Sequence, residues 1–152
     1  MQELAEILLK NNISISSVES FTVGYFANTV GSIPGISKVY KGSLVSYATE
    51  IKRDVLSIDQ SIIDNYGVVS NEVALLMAKR GQNMFGSQVC ISFTGNAGPS
   101  VMEDKPVGLI FIGIVFADRQ YTYEYHFSGS REEIKQQAVN KGIELLKEVI
   151  TD

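Results

Sequence analysis

Apolar and polar positions along the chain switch repeatedly between a period of two and a period near 3.6. That pattern predicts strands alternating with helices. Residues 3–10 place Leu4, Ile7 and Leu8 on one face, and Asn11-Asn12 ends that helix. Residues 13–18 alternate branched apolar residues with serines and predict a short strand. Residues 22–30 return to helical spacing through Tyr25, Phe26, Thr29 and Val30, and Gly31 closes them. A turn through Gly31-Ser32-Ile33-Pro34-Gly35 leads to a second strand over 39–47, where Gly42 leaves room for a close backbone approach. Short helices follow over 48–56 and 61–66. Ser70 then caps a longer helix with Ala74, Met77, Ala78, Gly81 and Phe85 on its inner stripe and Gly86 at its end. Residues 88–93 form a third strand.

Residues 107–117 are almost wholly apolar, which predicts a central strand buried on both faces. Residues 121–127 alternate, with Tyr121, Tyr123, Tyr125 and Phe127 opposite Thr122, Glu124 and His126. Only Asp118-Arg119-Gln120 separates the two runs, so they form an antiparallel hairpin. Ser130-Arg131-Glu132-Glu133 is a capping-box pattern that opens a last helix buried through Ile134, Ala138, Leu145 and Val149. Helices flanking the strands, with one hairpin among them, predict an α/β fold: a three-layer α/β/α sandwich on a mixed, mostly parallel sheet of about five strands. With 152 residues and no linker or repeat, one domain over 1–152 is expected. The loops after residues 18 and 93 both leave strand C-termini, so they fall on one sheet edge, where such folds place ligands.

Composition narrows the partners. A net charge of −4, a pI near 5.0 and no Lys/Arg cluster argue against nucleic acid. One cysteine allows no intrachain disulfide, and no Cys/His spacing offers a metal site. The first residues lack the basic-then-apolar pattern of a signal peptide, and no apolar run approaches a membrane span, so a cytoplasmic setting without membrane contact is expected. Cys90 reads as an inert buried thiol and His126 as a surface residue. The tyrosine stripe reads either as core or as a contact between copies, and a homo-oligomer is expected.

Ser20 carries the chemistry that these patterns allow. It stands between a strand end and the predicted start of a helix, where free backbone N–H groups favour an anion or a developing oxyanion. In that place a hydroxyl serves either as a nucleophile or as a helix cap.

Five blocks carry a resemblance: Glu19-Ser20-Phe21-Thr22-Val23-Gly24; Tyr40-Lys41-Gly42-Ser43-Leu44-Val45-Ser46-Tyr47 running on to Lys52; Gly67-Val68-Val69-Ser70; Thr94-Gly95-Asn96-Ala97-Gly98-Pro99; and Lys105-Pro106-Val107-Gly108. In order and spacing they resemble the CinA C-terminal domain, the competence/damage-inducible family whose active members are nicotinamide-nucleotide amidohydrolases. At this length the chain looks like the stand-alone form of that family. The resemblance implies a serine/lysine amidase, without cofactor or metal, that turns nicotinamide mononucleotide into nicotinate mononucleotide and ammonia. It implies Ser20 as nucleophile, Lys52 as base and Tyr47 beside them. Thr22, Gly24, Thr94, Gly95, Asn96, Ala97, Gly98 and Arg131 become the substrate-binding candidates, with Arg131 or the 95–98 turn for the phosphate.

A lysine is a base only when neutral, so Lys52 is expected to be buried against Ser20 and Tyr47 with no carboxylate paired to it. The chain departs from the family pattern where Phe21 and Val23 replace a cysteine and a glycine, and where Asn96 replaces an isoleucine. Ser100-Val101-Met102 stand in place of a glycine pair, and residues 101–106 read as a polar, mobile loop. The alternative implied by those departures is a drifted binding or interaction module without amidase activity.

Overall fold

The computed structural model describes all 152 residues. The chain runs α1 (Gln2–Asn11), β1 (Ile15–Glu19), α2 (Tyr25–Gly31), a single 3-10 turn (Ile36–Lys38), β2 (Tyr40–Val45), α3 (Thr49–Asp54), α4 (Gln60–Tyr66), α5 (Asn71–Phe85), β3 (Val89–Gly95), β4 (Leu109–Phe116), β5 (Arg119–His126) and α6 (Arg131–Thr151). The five strands form one sheet in the order β2-β1-β3-β4-β5. β1 pairs in parallel with both β2 and β3, while β4 is antiparallel to β3 and to β5. Only β4 therefore runs against the others, and the mixed, mostly parallel sheet expected from the sequence is the one observed.

Burial follows the alternation along each strand. Ile15 of β1, Ile91 and Phe93 of β3, and Ile110, Ile112 and Ile114 of β4 join Leu4, Leu8, Phe26, Val30, Ile134, Ala138 and Leu146 in a core on the α1/α2/α6 side. Val18, Cys90, Leu109 and Phe111 face the other way, onto Val73, Ala74 and Met77 of α5 and onto Leu56, Ile58 and Ile63. Of the two readings of the tyrosine stripe, the core one matches the packing: Tyr121, Tyr123 and Tyr125 lie half-buried against the α6-side core. Burial pushes the Cys90 thiol up to about 12, which leaves it inert.

The caps read from sequence at Ser70 and Ser130 are both present, accepting from the Val73 and Glu133 N–H groups. The close approach at Gly42 is made by a side chain and not by the backbone expected there: a Cβ on it would lie 3.0 Å from the Phe85 ring. No helix is long and apolar enough to cross a membrane.

Two expectations change. The helix placed over 22–30 begins only at Tyr25, and residues 21–24 form a turn closed by Val23 N–H to Ser20 O and Tyr25 N–H to Thr22 O. Val23 takes φ 47° there and Gly24 φ 87°. Glycine reaches such angles freely, whereas a β-branched residue is strained in them. Val23 is 49% exposed, so no packing compensates. Val23→Gly is expected to raise stability by about 1 kcal/mol, the relieved strain outweighing the added chain entropy. Thermal unfolding checks this through a Tm increase of roughly 2–4 °C.

Residues 101–106, read as mobile, are fastened at both ends. The Asn96 side chain accepts from Met102 N–H and donates to the carbonyls of Met102 and Lys105. Glu103 and Lys105 tie the same segment to residues 66–69. Polar side chains do here what the charge-rich composition concealed.

Candidate active site

Ser20 directly follows β1, where its N–H donates to Phe93 O and its hydroxyl reaches toward α3. The last residue of β1 explains how the turn after it is held. Glu19 is fully buried, and its two carboxylate oxygens accept from Phe26 N–H and Ala27 N–H, both at 3.0 Å. The start of α2 is therefore capped by Glu19 rather than Ser20, which corrects the placement of Ser20 at the helix end. The free amides beside Ser20 belong to the turn instead: the N–H groups of Phe21 and Thr22 donate to no acceptor in the protein. Sequence reasoning missed Glu19, although an acidic residue ahead of a helix start was the available signal.

Lys52 meets Ser20 from α3. Its Nζ lies 2.9 Å from Ser20 Oγ, 2.6 Å from Ser46 O and 3.3 Å from Tyr47 O, and the residue is 1% exposed. No carboxylate forms a salt bridge with it. Burial pushes the ammonium down from 10.5 to about 8, against a smaller opposing pull from the negative charge of Glu103. Near neutrality about a tenth of the amine is then unprotonated, roughly 300-fold more than for an unperturbed lysine.

A neutral amine has two N–H donors and one lone pair. The two carbonyls occupy the donors, so the lone pair is left for the Ser20 hydroxyl. The Ser46 and Thr22 hydroxyls are also buried, and neither has a hydrogen-bond partner.

A cavity of about 110 Å³ opens beside this pair, lined by Ser20, Phe21, Tyr47, Gly95, Asn96, Ala97, Ser100, Met102 and Arg131. The loops after β1 and β3 do share this edge. Arg131, the first residue of α6, donates to Gly98 O at 2.8 Å and to the Tyr47 hydroxyl at 3.2 Å. It joins three segments at the cavity mouth.

The remaining candidates divide by position. Tyr47 is 56% exposed, so its phenol stands at the mouth with Arg131 and only its carbonyl reaches Lys52. The residue sits beside the pair, but its hydroxyl is not part of it. Asn96 lines the cavity with a side chain already spent on its own loop. Thr94 is 1% exposed and donates from Oγ1 to Val68 O, so it braces the wall from behind. Gly24 precedes α2 and lies outside the lining. Ala97 and Gly98 carry N–H groups that donate to nothing within the protein. Ser100 and Met102 line the cavity without having been singled out for binding, since apolar and small loop residues give no such signal. No group of three or more His, Cys, Asp or Glu side chains clusters anywhere.

A profile of the CinA C-terminal domain matches residues 1–150. The chain belongs to that family. Among sequence relatives of this CinA domain, a protein of Lactiplantibacillus plantarum named as a competence-damage inducible protein is 37% identical over 95% of the chain. A protein of the same name from Lysinibacillus sphaericus is 42% identical over 88%. The chain spans about a third of these relatives, 35% and 32% of their lengths. Among solved structures, a competence-damaged protein (CinA) superfamily protein from Escherichia coli superposes with a TM-score of 0.94 at 27% identity. That match covers 97% of this chain and 86% of the other.

Proposed function

We propose that this CinA domain is a serine/lysine amidohydrolase that deamidates nicotinamide mononucleotide to nicotinate mononucleotide and ammonia. The observation that carries the reading is the buried Lys52 amine, 2.9 Å from Ser20 Oγ, with no carboxylate paired to it. The choice of substrate rests on the family resemblance in the motif blocks.

Neutral Lys52 takes the hydroxyl proton as Ser20 Oγ bonds to the carboxamide carbon. The carbonyl oxygen becomes an oxyanion, for which the unspent N–H groups of Phe21 and Thr22 are the donors in place. Lys52 returns its proton to the amide nitrogen, the C–N bond breaks and ammonia leaves. Water, deprotonated by the same amine, then hydrolyses the nicotinyl ester, releasing the acid and restoring the Ser20 hydroxyl.

The carboxamide end occupies the cavity, and the sugar phosphate runs toward its mouth. There Arg131 and the N–H groups of Ala97 and Gly98 meet the phosphate.

Ammonia release from nicotinamide mononucleotide, with nicotinate mononucleotide appearing in equal amount, tests the reading. Because the base must be unprotonated, kcat/KM is expected to rise with pH through a midpoint near the Lys52 value of about 8. Binding of the nucleotide without release at any pH would refute catalysis and leave a binding module.

A further inference from the structure

The Asn96 side chain is turned wholly onto the segment that walls the Ser20 cavity. Its Oδ1 accepts from Met102 N–H at 3.1 Å, and its amide nitrogen donates to Met102 O and Lys105 O, each at 3.1 Å. Asn96 itself is 4% exposed and fixed to the sheet edge, where its N–H donates to Leu109 O at 3.0 Å and its carbonyl accepts from Gly108 N–H at 2.7 Å. The main chain of Met102 is therefore gripped on both sides by a group anchored where β3 meets β4. The next two residues, Glu103 and Asp104, take φ 59° and 53°. Non-glycine residues keep that left-handed conformation only where their surroundings impose it, so the segment would relax out of this shape once the ties to Asn96 were cut.

Four apolar side chains line the cavity, and they are held in different ways. Phe21 and Ala97 belong to the core on the α1/α2/α6 side. Tyr47 is held at the mouth by Arg131. Met102 is 47% exposed and lies in neither core cluster, and its long unbranched side chain is not fixed by packing. Its place in the wall comes from its main chain, and hence from Asn96.

We propose that Asn96 is a positioning residue for substrate recognition, holding the Met102 thioether as the wall against which the aromatic ring of the carboxamide substrate packs. A thioether beside a ring attracts it through dispersion and a sulfur–aromatic contact, and a gap of roughly 0.5–1 Å forfeits a quarter to a half of the dispersion. Such contacts are made equally in the bound substrate and in the transition state. They govern KM and leave the proton transfer between Ser20 and Lys52 untouched. Both hydrogens of the Asn96 amide are already engaged, so the residue acts through Met102 and not on the substrate.

The inference rests on the amidase reading for the identity of the ring, and its test is run with and without turnover. Nicotinamide mononucleotide is titrated calorimetrically into Ser20→Ala protein, and ammonia release from it is followed in protein with Ser20 intact. Each measurement is made alone and with Asn96→Ala, Asn96→Ile, Met102→Ala, and Asn96→Ala together with Met102→Ala. Asn96→Ala and Met102→Ala are each expected to raise Kd and KM by about 3- to 10-fold, with kcat within about twofold. Asn96→Ile keeps bulk but none of the three hydrogen bonds and is expected to match Asn96→Ala. The double variant is expected to bind no more weakly than either single one, because both substitutions remove the same wall. Met102→Ala alters only a half-exposed side chain, so it keeps the test decisive should the Asn96 variants fold poorly. An unmoved Kd in Met102→Ala, effects that multiply in the double variant, or a fall in kcat matching the rise in KM would overturn the proposal. The expected pattern of Kd values in protein that releases no ammonia would sustain it and refute the amidase reading. Nucleotide that fails to bind the Ser20→Ala protein would overturn both.

Discussion

Ser20→Ala and Lys52→Ala are each expected to lower kcat/KM for ammonia release by at least about 10³-fold, with the double variant little worse than either single one. The two groups act on one proton, so removing either removes the whole transfer. Lys52→Arg is expected to be as inactive as Lys52→Ala, because a guanidinium keeps its proton at any workable pH and matches the geometry poorly. Steady-state ammonia assays on the set decide the matter, and full activity in any of them would rule out the assigned pair.

The same lysine leaves a thermodynamic mark. Its folded value of about 8 lies below the 10.5 of an unperturbed lysine, so the unfolded chain binds more protons in the interval between them. Stability of the wild type relative to Lys52→Met therefore rises as pH increases through that window. The gain is at most about 3 kcal/mol, and below the window the full penalty of the buried ammonium applies. Paired urea unfolding curves at successive pH values read this difference directly.

Glu19→Ala is expected to destabilise the protein by about 3 kcal/mol. The carboxylate is fully buried and satisfies two of the N-terminal amides of α2, and alanine would leave both unpaired beside a new void. Relief of the desolvation penalty offsets part of that loss. Glu19→Gln keeps one acceptor and is expected to cost less than half as much. Denaturant midpoints measured at constant m check the size, and a loss below about 1 kcal/mol would mean that α2 does not need this cap. Because Ser20 is the next residue, a loosened Glu19 should also lower kcat in whatever fraction remains folded.

The strand and helix pattern was legible because hydrophobic alternation reports burial directly. The nearly unbroken apolar run before residue 117 gave β4, and the tyrosine alternation gave β5 and the face it buries. The pairing of Ser20 with Lys52 came from the motif blocks, since a serine and a lysine 32 positions apart carry no periodic signal. What stayed hidden were contacts made by polar side chains across the chain. Glu19 reaches forward seven and eight residues to α2, so the helix begins three residues later than the spacing predicts, and of the two readings of the Ser20 hydroxyl the capping one does not hold. Asn96, Glu103 and Lys105 fasten a loop whose composition resembles that of a free one, because composition counts charges but not their partners. Val23 stands where the family pattern has a glycine, and the backbone there takes a positive φ although the side chain is β-branched.

Both atoms that steer the Lys52 amine belong to the main chain, at Ser46 and Tyr47. Tyr47 is exposed at the mouth, so exchanging its side chain would leave its carbonyl where it is. The base is thereby insulated from sequence change along the rim, and ligand preference there can diverge among descendants while the proton acceptor keeps its aim.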